Sequence, residues 1–361
     1  MTNTEFIKCR VKDINRESQD CVSVEFEVPE GQEHFYEFLP GQHLTVRKSI
    51  NGEDVRRNYS LCTAPHERSL RIAIKEIPGG RFSTYANRNL KVGDKLELMP
   101  PLGHFEHVTN DQSGSLYVGF AAGSGITPIM SMLRSVLIDE KDSQFILFYG
   151  NRDKDSVIFH NELENLKNRY IERLSVHHIF SKEIQESDLF NGRINSEKTI
   201  AFAKYLFDPA SISAYYLCGP AEMIAEVQSS LKQIGIDKSK IHYELFTPPG
   251  EDVAFTSSSV QPESFIPDSE SRVSIKHEGM TRQFVMKYAG DSILDAAADQ
   301  GINLPFACKG GVCATCRAKV VTGKVSMKKN YAIEEDELEN GYILTCQAHP
   351  RTPELSIDFD Q

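Results

Sequence analysis

The sequence is short of positive charge: 40 Lys and Arg stand against 51 Asp and Glu, a formal net charge of -11. Affinity for nucleic-acid phosphate is built largely from Lys and Arg, so a nucleic-acid binder is not expected. Missing too, from the opening MTNTEFIKCR, is the charged-then-apolar order of a secretory signal. No export is therefore expected, and the chain reads as cytoplasmic. A membrane span is also lacking. The charge-free stretch from Gln112 to Leu133 is long enough, but GFAAGSGITP fills its middle. Gly, Ser, Thr and Pro there point to strand, turn and helix instead. There is no internal repeat. At 361 residues the chain exceeds one typical core, so two or three domains are expected. Its eight cysteines, in a reducing compartment, are expected to hold metal or do redox work rather than form disulfides.

What is present falls into blocks. Up to about Glu106, short β-rich runs (CVSVEFEV, HLTVRK, LRIAIKEI, DKLELMP) alternate with Gly and Pro turns, the pattern of an antiparallel β-barrel over residues 1–110. From Leu116 the apolar runs LYVGF, FILFYG, LSVHHIF and AYYLCG are interleaved with helical segments such as PIMSMLRSVLI and AEMIAEVQSSLKQIG. That alternation predicts an α/β domain over 111–247, with a parallel sheet covered on both faces. Between Thr247 and Ser271 come four prolines, six serines, five acids and no Lys or Arg. Such a composition cannot bury enough surface to order itself, so 248–271 reads as a linker, with Phe255 and Phe265 as candidate anchors. A last domain, 272–361, opens with the hairpin-like pair RVSIKHEG and TRQFVMKY. A helix, DSILDAAADQG, follows, capped by Asp291 or Ser292.

The most informative stretch is CKGGVCATC. Cys308, Cys313 and Cys316 give C-x4-C-x2-C, and Cys346 completes a set of four. That spacing is the one by which a single loop wraps a [2Fe-2S] cluster. Backbone must approach the sulfides and point N–H groups at them, which Gly310 and Gly311 allow, and small Ala307, Ala314 and Thr315 leave room. A structural zinc site also uses four thiolates, but its ligands usually come as two C-x2-C knuckles, and one is present here.

The last 90 residues resemble a plant-type ferredoxin, which implies an α+β, β-grasp domain. PFACKGGVCATCRAKVVTGKVSM with GYILTCQAHP is similar to the reductase subunits of bacterial phenylacetyl-CoA 1,2-epoxidases. A cluster takes one electron at a time whereas a nicotinamide gives a hydride, so a flavin is expected between them. The order PGQHL, RNYS, PGGRFSTYA and PPLGHF resembles the ferredoxin-NADP reductase superfamily from Phe6 to about Phe246. That likeness implies FAD, with Arg57 on its pyrophosphate, Tyr59 against the isoalloxazine and Ser60 near the reactive N5. A guanidinium suits a diphosphate because it presents a planar fork of donors. Gly80, Ser83 and Thr84 would serve the phosphates from the start of a short helix. Leu61, Ile74, Lys75 and Phe82 complete the implied flavin contacts, the AIKE segment through its backbone.

GFAAGSGITP ends a strand and opens a helix, where Gly123 and Gly125 let the chain turn under a pyrophosphate and Pro128 suits the first helical turn. Thr127 belongs to the same implied nucleotide site. CGP, Cys218 with Gly219 and Pro220, lies by the nicotinamide ring in the superfamily, although Cys218 also reads as a small buried residue. Arg152, Ser181 and Lys182 are candidates for a 2′-phosphate, making NADPH the expected donor with NADH possible. Solvated surface charge is the other reading. By resemblance Phe246 would cover the flavin face that nicotinamide occupies; a core Phe is the alternative. Ser60, Cys218 and Phe246 are thus the candidate catalytic residues, with electrons passing to an oxygenase or epoxidase. A plant-type potential near about -400 mV is low enough to drive an oxygen-activating diiron site. A ring-hydroxylating dioxygenase, a monooxygenase and an acyl desaturase remain alternative acceptors. A flavin reductase of small acceptors and a zinc-bearing interaction module are further alternatives. Six cations, Lys309, Arg317, Lys319, Lys324, Lys328 and Lys329, occupy an acid-free stretch around the cysteine loop. They read as a docking face for an acidic partner, or as a solvated lysine face.

Overall fold

The structure, a computed structural model, describes residues 5–108, 114–246 and 269–361. The expected linker therefore lies, apart from its last three residues, outside the described residues, as do Phe255 and Phe265. The chain divides into two compact units, Glu5–Glu244 and the part from Leu245 onward.

Six antiparallel strands open the first unit: β1 (Ile7–Ser18), β2 (Cys21–Glu27), β3 (His43–Ile50), β4 (Glu53–Ser60), β5 (Leu70–Lys75) and β6 (Lys95–Leu102). Their order is β4-β3-β6-β1-β2-β5, and a bridge from Leu61 to Ile72 joins the two edges into a barrel. β1 is absent from the β-rich runs read in the sequence because only Cys9, Val11 and Ser18 are buried along its 12 residues. Of its remaining side chains Ile7 and Ile14 are half-buried against the core and the rest are polar, so it carries little apolar signal. The helix α1 (Arg81–Arg88) follows Gly80 and buries Phe82 and Ala86, four residues apart on one face.

The second lobe is a parallel sheet of β7 (Leu116–Ala122), β8 (Gln144–Asn151), β9 (Leu174–Phe180), β10 (Ala214–Cys218) and β11 (Ile241–Glu244), in the order β11-β10-β7-β8-β9. Helices α2 (Ile126–Asp139), α3 (His160–Arg169), α4 (Ser196–Tyr205) and α5 (Ala221–Gln233) cover it. From Ile126 to Leu137 every residue of α2 except Arg134 is buried, so the charge-free stretch runs through strand β7 and its turn into a core helix buried on all sides. Among the described residues no helix is long and apolar enough to cross a membrane.

One apolar cluster joins the two lobes: Cys21, Cys62, Ala73 and Phe105 pack with α2 and with the strands of the parallel sheet. A buried polar stitch accompanies it. The His107 ring lies 2.8 Å from both Tyr216 Oη and Glu140 Oε1, and Tyr117 donates to Glu140 Oε2 at 3.1 Å.

The second unit has a mixed sheet and its own core. Strands β12 (Glu270–His277) and β13 (Met280–Lys287) form a hairpin, and α6 (Ile293–Asp299) follows. Then come β14 (Arg317–Thr322), β15 (Val325–Met327), α7 (Glu335–Glu339), β16 (Tyr342–Leu344), β17 (Ala348–Pro350) and β18 (Glu354–Asp358). The order β13-β12-β18-β14-β16 makes β12 and β18 a parallel pair, beside a small β15–β17 ribbon. Strand β12 begins at Glu270, two residues inside the stretch expected as linker, because Ser271 is buried there and pairs with Met286. Of the two candidate caps for α6, Ser292 serves, accepting from Asp295 N at 3.2 Å.

Candidate active site

The loop between α6 and β14 carries three of the four cysteines, and the turn after β16 carries Cys346. Thr345 ties the two segments: its amide and its hydroxyl both donate to the Cys316 carbonyl, at 3.1 and 2.9 Å. The thiols gather two and two. Cys308 accepts from the Cys313 thiol and from the amides of Gly310, Val312 and Cys313, and these hydrogen bonds push it down to about 5. Cys346 is lowered by the Cys316 thiol first, then by Gln347 and the Gly311 amide. The Gly310 amide stands 3.3 Å from Cys308 Sγ and Gln347 Nε2 3.6 Å from Cys346 Sγ. Donors aimed at sulfur stabilise metal-bound thiolates. Cys308 pairs with Cys313 and Cys316 with Cys346, a grouping that would give each iron of a two-iron cluster two thiolates. The donor set therefore fits a two-iron cluster better than a single zinc. The expectation that both glycines supply unusual dihedrals needs adjusting. Gly311 is left-handed at φ 81°, but its companions there are Lys309 and Ala314 rather than Gly310. Side-chain residues in the left-handed region store strain, as functional loops often do.

The six cations are not equivalent. Lys309 pairs with Asp295 at 2.6 Å, and Arg317 pairs with Glu337 at 2.8 Å while lying 3.5 Å above the Tyr342 ring. Lys319 lies over the same ring at 5.6 Å. Lys324, Lys328 and Lys329 are exposed. Lys328 sits at the loop, its amide bonded to the Gln347 carbonyl.

In the barrel, β4 presents RNYS. Arg56 is buried on Asp54 at 3.0 Å, whereas Arg57 is exposed and, among the described residues, donates to its neighbour's carbonyl. The alternation of the strand thus leaves Arg57 available to an anion. Tyr59 packs 5.7 Å from Phe82. Leu61 and Ile74 are wholly buried in the barrel core, so the backbone is what they can offer a ligand. Ser83 serves its own turn, accepting from Ile77 N and donating to the Gly80 carbonyl; Thr84 opens the helix with a bond to the same carbonyl.

Ser60 is buried and donates to Glu244 Oε2 at 3.2 Å, across 184 residues. Behind it, His43 Nδ1 lies 3.7 Å from Glu244 Oε1, and His43 Nε2 is 2.8 Å from Asn58 Nδ2. Thr45 donates to Asn58 Oδ1 at 2.8 Å. That bond leaves the Asn58 amide nitrogen toward the His43 ring, whose Nδ1 faces Glu244. His43 and Asn58 escaped the sequence reading. The signal for His43 is a polar residue alternating with the core residues Leu44 and Val46 of β3, on the face turned away from the barrel core, where His43 and Thr45 are nonetheless buried.

At the nucleotide loop, a Cβ on Gly125 would stand 2.1 Å from the Cys218 carbonyl oxygen and 2.8 Å from Gly219 N. Gly125 is therefore needed for close approach of the α2 start to the end of β10, not for its dihedrals. Thr127 donates to the Ser124 carbonyl at 3.0 Å and Pro128 is buried in the first turn of α2. Cys218 is wholly buried, and burial pushes its thiol well up, so it is neutral. Gly219 packs on Ala122, and Pro220 precedes α5 as its cap. Backbone bonds bring the 2′-phosphate candidates together: Ser181 N to the Asn151 carbonyl at 3.0 Å and Lys182 N to the Arg152 carbonyl at 2.8 Å. Phe246, two residues beyond β11, is 40% exposed and not a core residue.

Three family matches run along the chain: an oxidoreductase FAD-binding domain at 8–107, an oxidoreductase NAD-binding domain at 120–229 and a 2Fe-2S iron-sulfur cluster binding domain at 275–351. A 1,2-phenylacetyl-CoA epoxidase subunit from Escherichia coli (strain K12) is 42% identical over 99% of this chain and 98% of its own length. The ferredoxin reductase component of 3-ketosteroid-9-alpha-monooxygenase from Rhodococcus rhodochrous is 30% identical over 97% and 95%. Phthalate dioxygenase reductase shares the fold, with a TM-score of 0.59 at 24% identity over 98% of each chain. The chain belongs to the family of FAD- and NAD-binding oxidoreductases with a 2Fe-2S domain that includes this 1,2-phenylacetyl-CoA epoxidase component.

Proposed function

We propose that this chain is the reductase component of a phenylacetyl-CoA epoxidase, carrying electrons from NADPH to the oxygenase that activates dioxygen. The observation that carries it is the set of four thiols held two and two under backbone amides, in a chain alike from end to end to the Escherichia coli epoxidase component. When bound, FAD accepts the hydride and the [2Fe-2S] cluster passes its electrons on singly.

The residues divide the work. Arg57 holds the flavin diphosphate, with Gly80, Ser83 and Thr84 at the helix start; Tyr59, with Phe82 behind it, sets the ring plane. Leu61, Ile74 and Lys75 line the flavin site. Ser60 offers a hydroxyl oriented by Glu244, while His43 holds that carboxylate in place. Gly123, Gly125, Thr127 and Pro128 shape the pyrophosphate turn, and Cys218, Gly219 and Pro220 form the wall beside the nicotinamide. Arg152, Ser181 and Lys182, adjacent at the strand ends, favour the 2′-phosphate of NADPH. Phe246 covers the flavin until nicotinamide displaces it; its exposure fits a side chain that moves. Domain limits near 110, 247 and 271, and a cytoplasmic setting for eight free cysteines, belong to the same reading.

The test is reconstitution with the oxygenase components of phenylacetyl-CoA epoxidase. NADPH oxidation should depend on phenylacetyl-CoA, and Lys328→Glu should slow it at low salt more than at high salt. Oxidation indifferent to phenylacetyl-CoA would point to another oxygenase. Indifference to both salt and Lys328→Glu would remove the docking face.

A further inference from the structure

Two cations stand at the ends of β5 and β8, and one carboxylate pairs with both. Lys75 ends β5 beside the glycine turn: a Cβ on Gly123 would lie 3.8 Å from its Nζ. Arg152 follows β8, next to Lys182. Asp20, in the tight turn joining β1 to β2, places Oδ2 3.0 Å from Arg152 Nη2 and 3.7 Å from Lys75 Nζ. Asp20 is anchored at both ends, for Oδ1 accepts from Ser18 Oγ at 2.9 Å and its carbonyl accepts from Glu76 N at 2.7 Å. The Arg152 side chain is 53% exposed against 28% for Asp20. The carboxylate is therefore fixed, and the guanidinium is the partner able to turn away.

A guanidinium fork binds a carboxylate and a phosphate through the same donors, so the two compete. We propose that Asp20 is a specificity-determining residue that competes with a 2′-phosphate for Arg152 and so limits the preference of the site for phosphorylated dinucleotide. This rests on the reading of Arg152 given above. The pair spans 132 residues and reaches from the barrel to the parallel sheet. The flavin lobe thereby takes part in choosing the nicotinamide. Because the pair is partly exposed, removing the carboxylate should strengthen 2′-phosphate binding by only about threefold to fivefold.

The test uses the full-length, flavin-loaded protein and titration calorimetry with two probes, adenosine 2′,5′-bisphosphate and AMP. Loss of Asp20 also releases Lys75, but both probes carry the 5′-phosphate that Lys75 would meet. The ratio of their dissociation constants therefore isolates the 2′ position. Asp20→Asn, which retains an acceptor for Ser18, should shift that ratio toward the bisphosphate by about threefold to fivefold. Asp20→Ala should do the same. The gain should vanish in the double variant Asp20→Asn with Arg152→Ala. An unchanged ratio in both Asp20 variants, with Arg152→Ala alone still lowering the preference, would overturn the role of Asp20 and leave that of Arg152 standing. An unchanged ratio in Arg152→Ala itself would overturn both.

Discussion

At the scale of single residues, the buried hydroxyl of Ser60 is the group most directly exposed to test. It is ordered by Glu244, which His43 faces in turn. Losing one preorganised hydrogen bond at a reacting centre is worth about 1.4 kcal/mol, or tenfold in rate. Ser60→Ala should therefore slow NADPH-driven flavin bleaching in stopped flow by about tenfold, with flavin content unchanged; an unaltered rate would deny Ser60 its role. The residues legible in the sequence were those whose partners are near in the chain or whose chemistry is fixed by spacing. Cys308, Cys313 and Cys316 stand out in the sequence because their spacing is that of a loop able to wrap a metal cluster, and the fold gathers them with Cys346. Asp20, His43 and Glu244 do not, because their meaning lies in contacts made across the fold. A turn aspartate 132 residues from its arginine leaves no pattern to read.

At the scale of elements, the start of α2 is wedged against the end of β10. A methyl group on Gly125 would meet three backbone atoms of Cys218 and Gly219, the nearest at 2.1 Å. Backbone cannot swing aside as a side chain can, so the helix start must shift. Gly125→Ala should lower stability by about 1–3 kcal/mol, seen as a fall of several degrees in Tm. It should also abolish reduction by NADPH, while dithionite still reduces the bound flavin; NADPH reduction at the normal rate would show the turn to be tolerant. The sequence reading placed this strand–turn–helix correctly but gave both glycines a dihedral role. Packing between two distant elements assigned Gly125 a different one. Strand β1 shows the converse: a long strand can stay hidden when, of its 12 residues, Cys9, Val11 and Ser18 alone are fully buried.

At the scale of the whole molecule, buried imidazoles set the response to acid. His178 is pushed down to about 4, mainly by burial and then by His160, and burial lowers His107 and His177 as well. Both ring nitrogens of His178 lack a partner among the described residues. These rings are neutral when folded, whereas in the unfolded chain they take a proton near 6.5. Stability is thus fully present above pH 6.5 and is lost as pH falls from there toward about 4. Each such group costs up to about 1.4 kcal/mol per pH unit. His178→Phe keeps the ring stacking and should flatten urea midpoints of the holoprotein over that window; an unchanged slope would clear His178 of responsibility.

The claim that joins all three scales is that flavin-derived electrons reach two irons held by Cys308, Cys313, Cys316 and Cys346. Anaerobically prepared protein should contain about two irons and two acid-labile sulfides per chain, and NADPH should bleach the iron-sulfur absorption together with that of the flavin. In Cys346→Ser the flavin should still bleach while the iron-sulfur band is lost. Protein holding zinc without labile sulfide, or an iron-sulfur band that NADPH leaves untouched, would contradict the account.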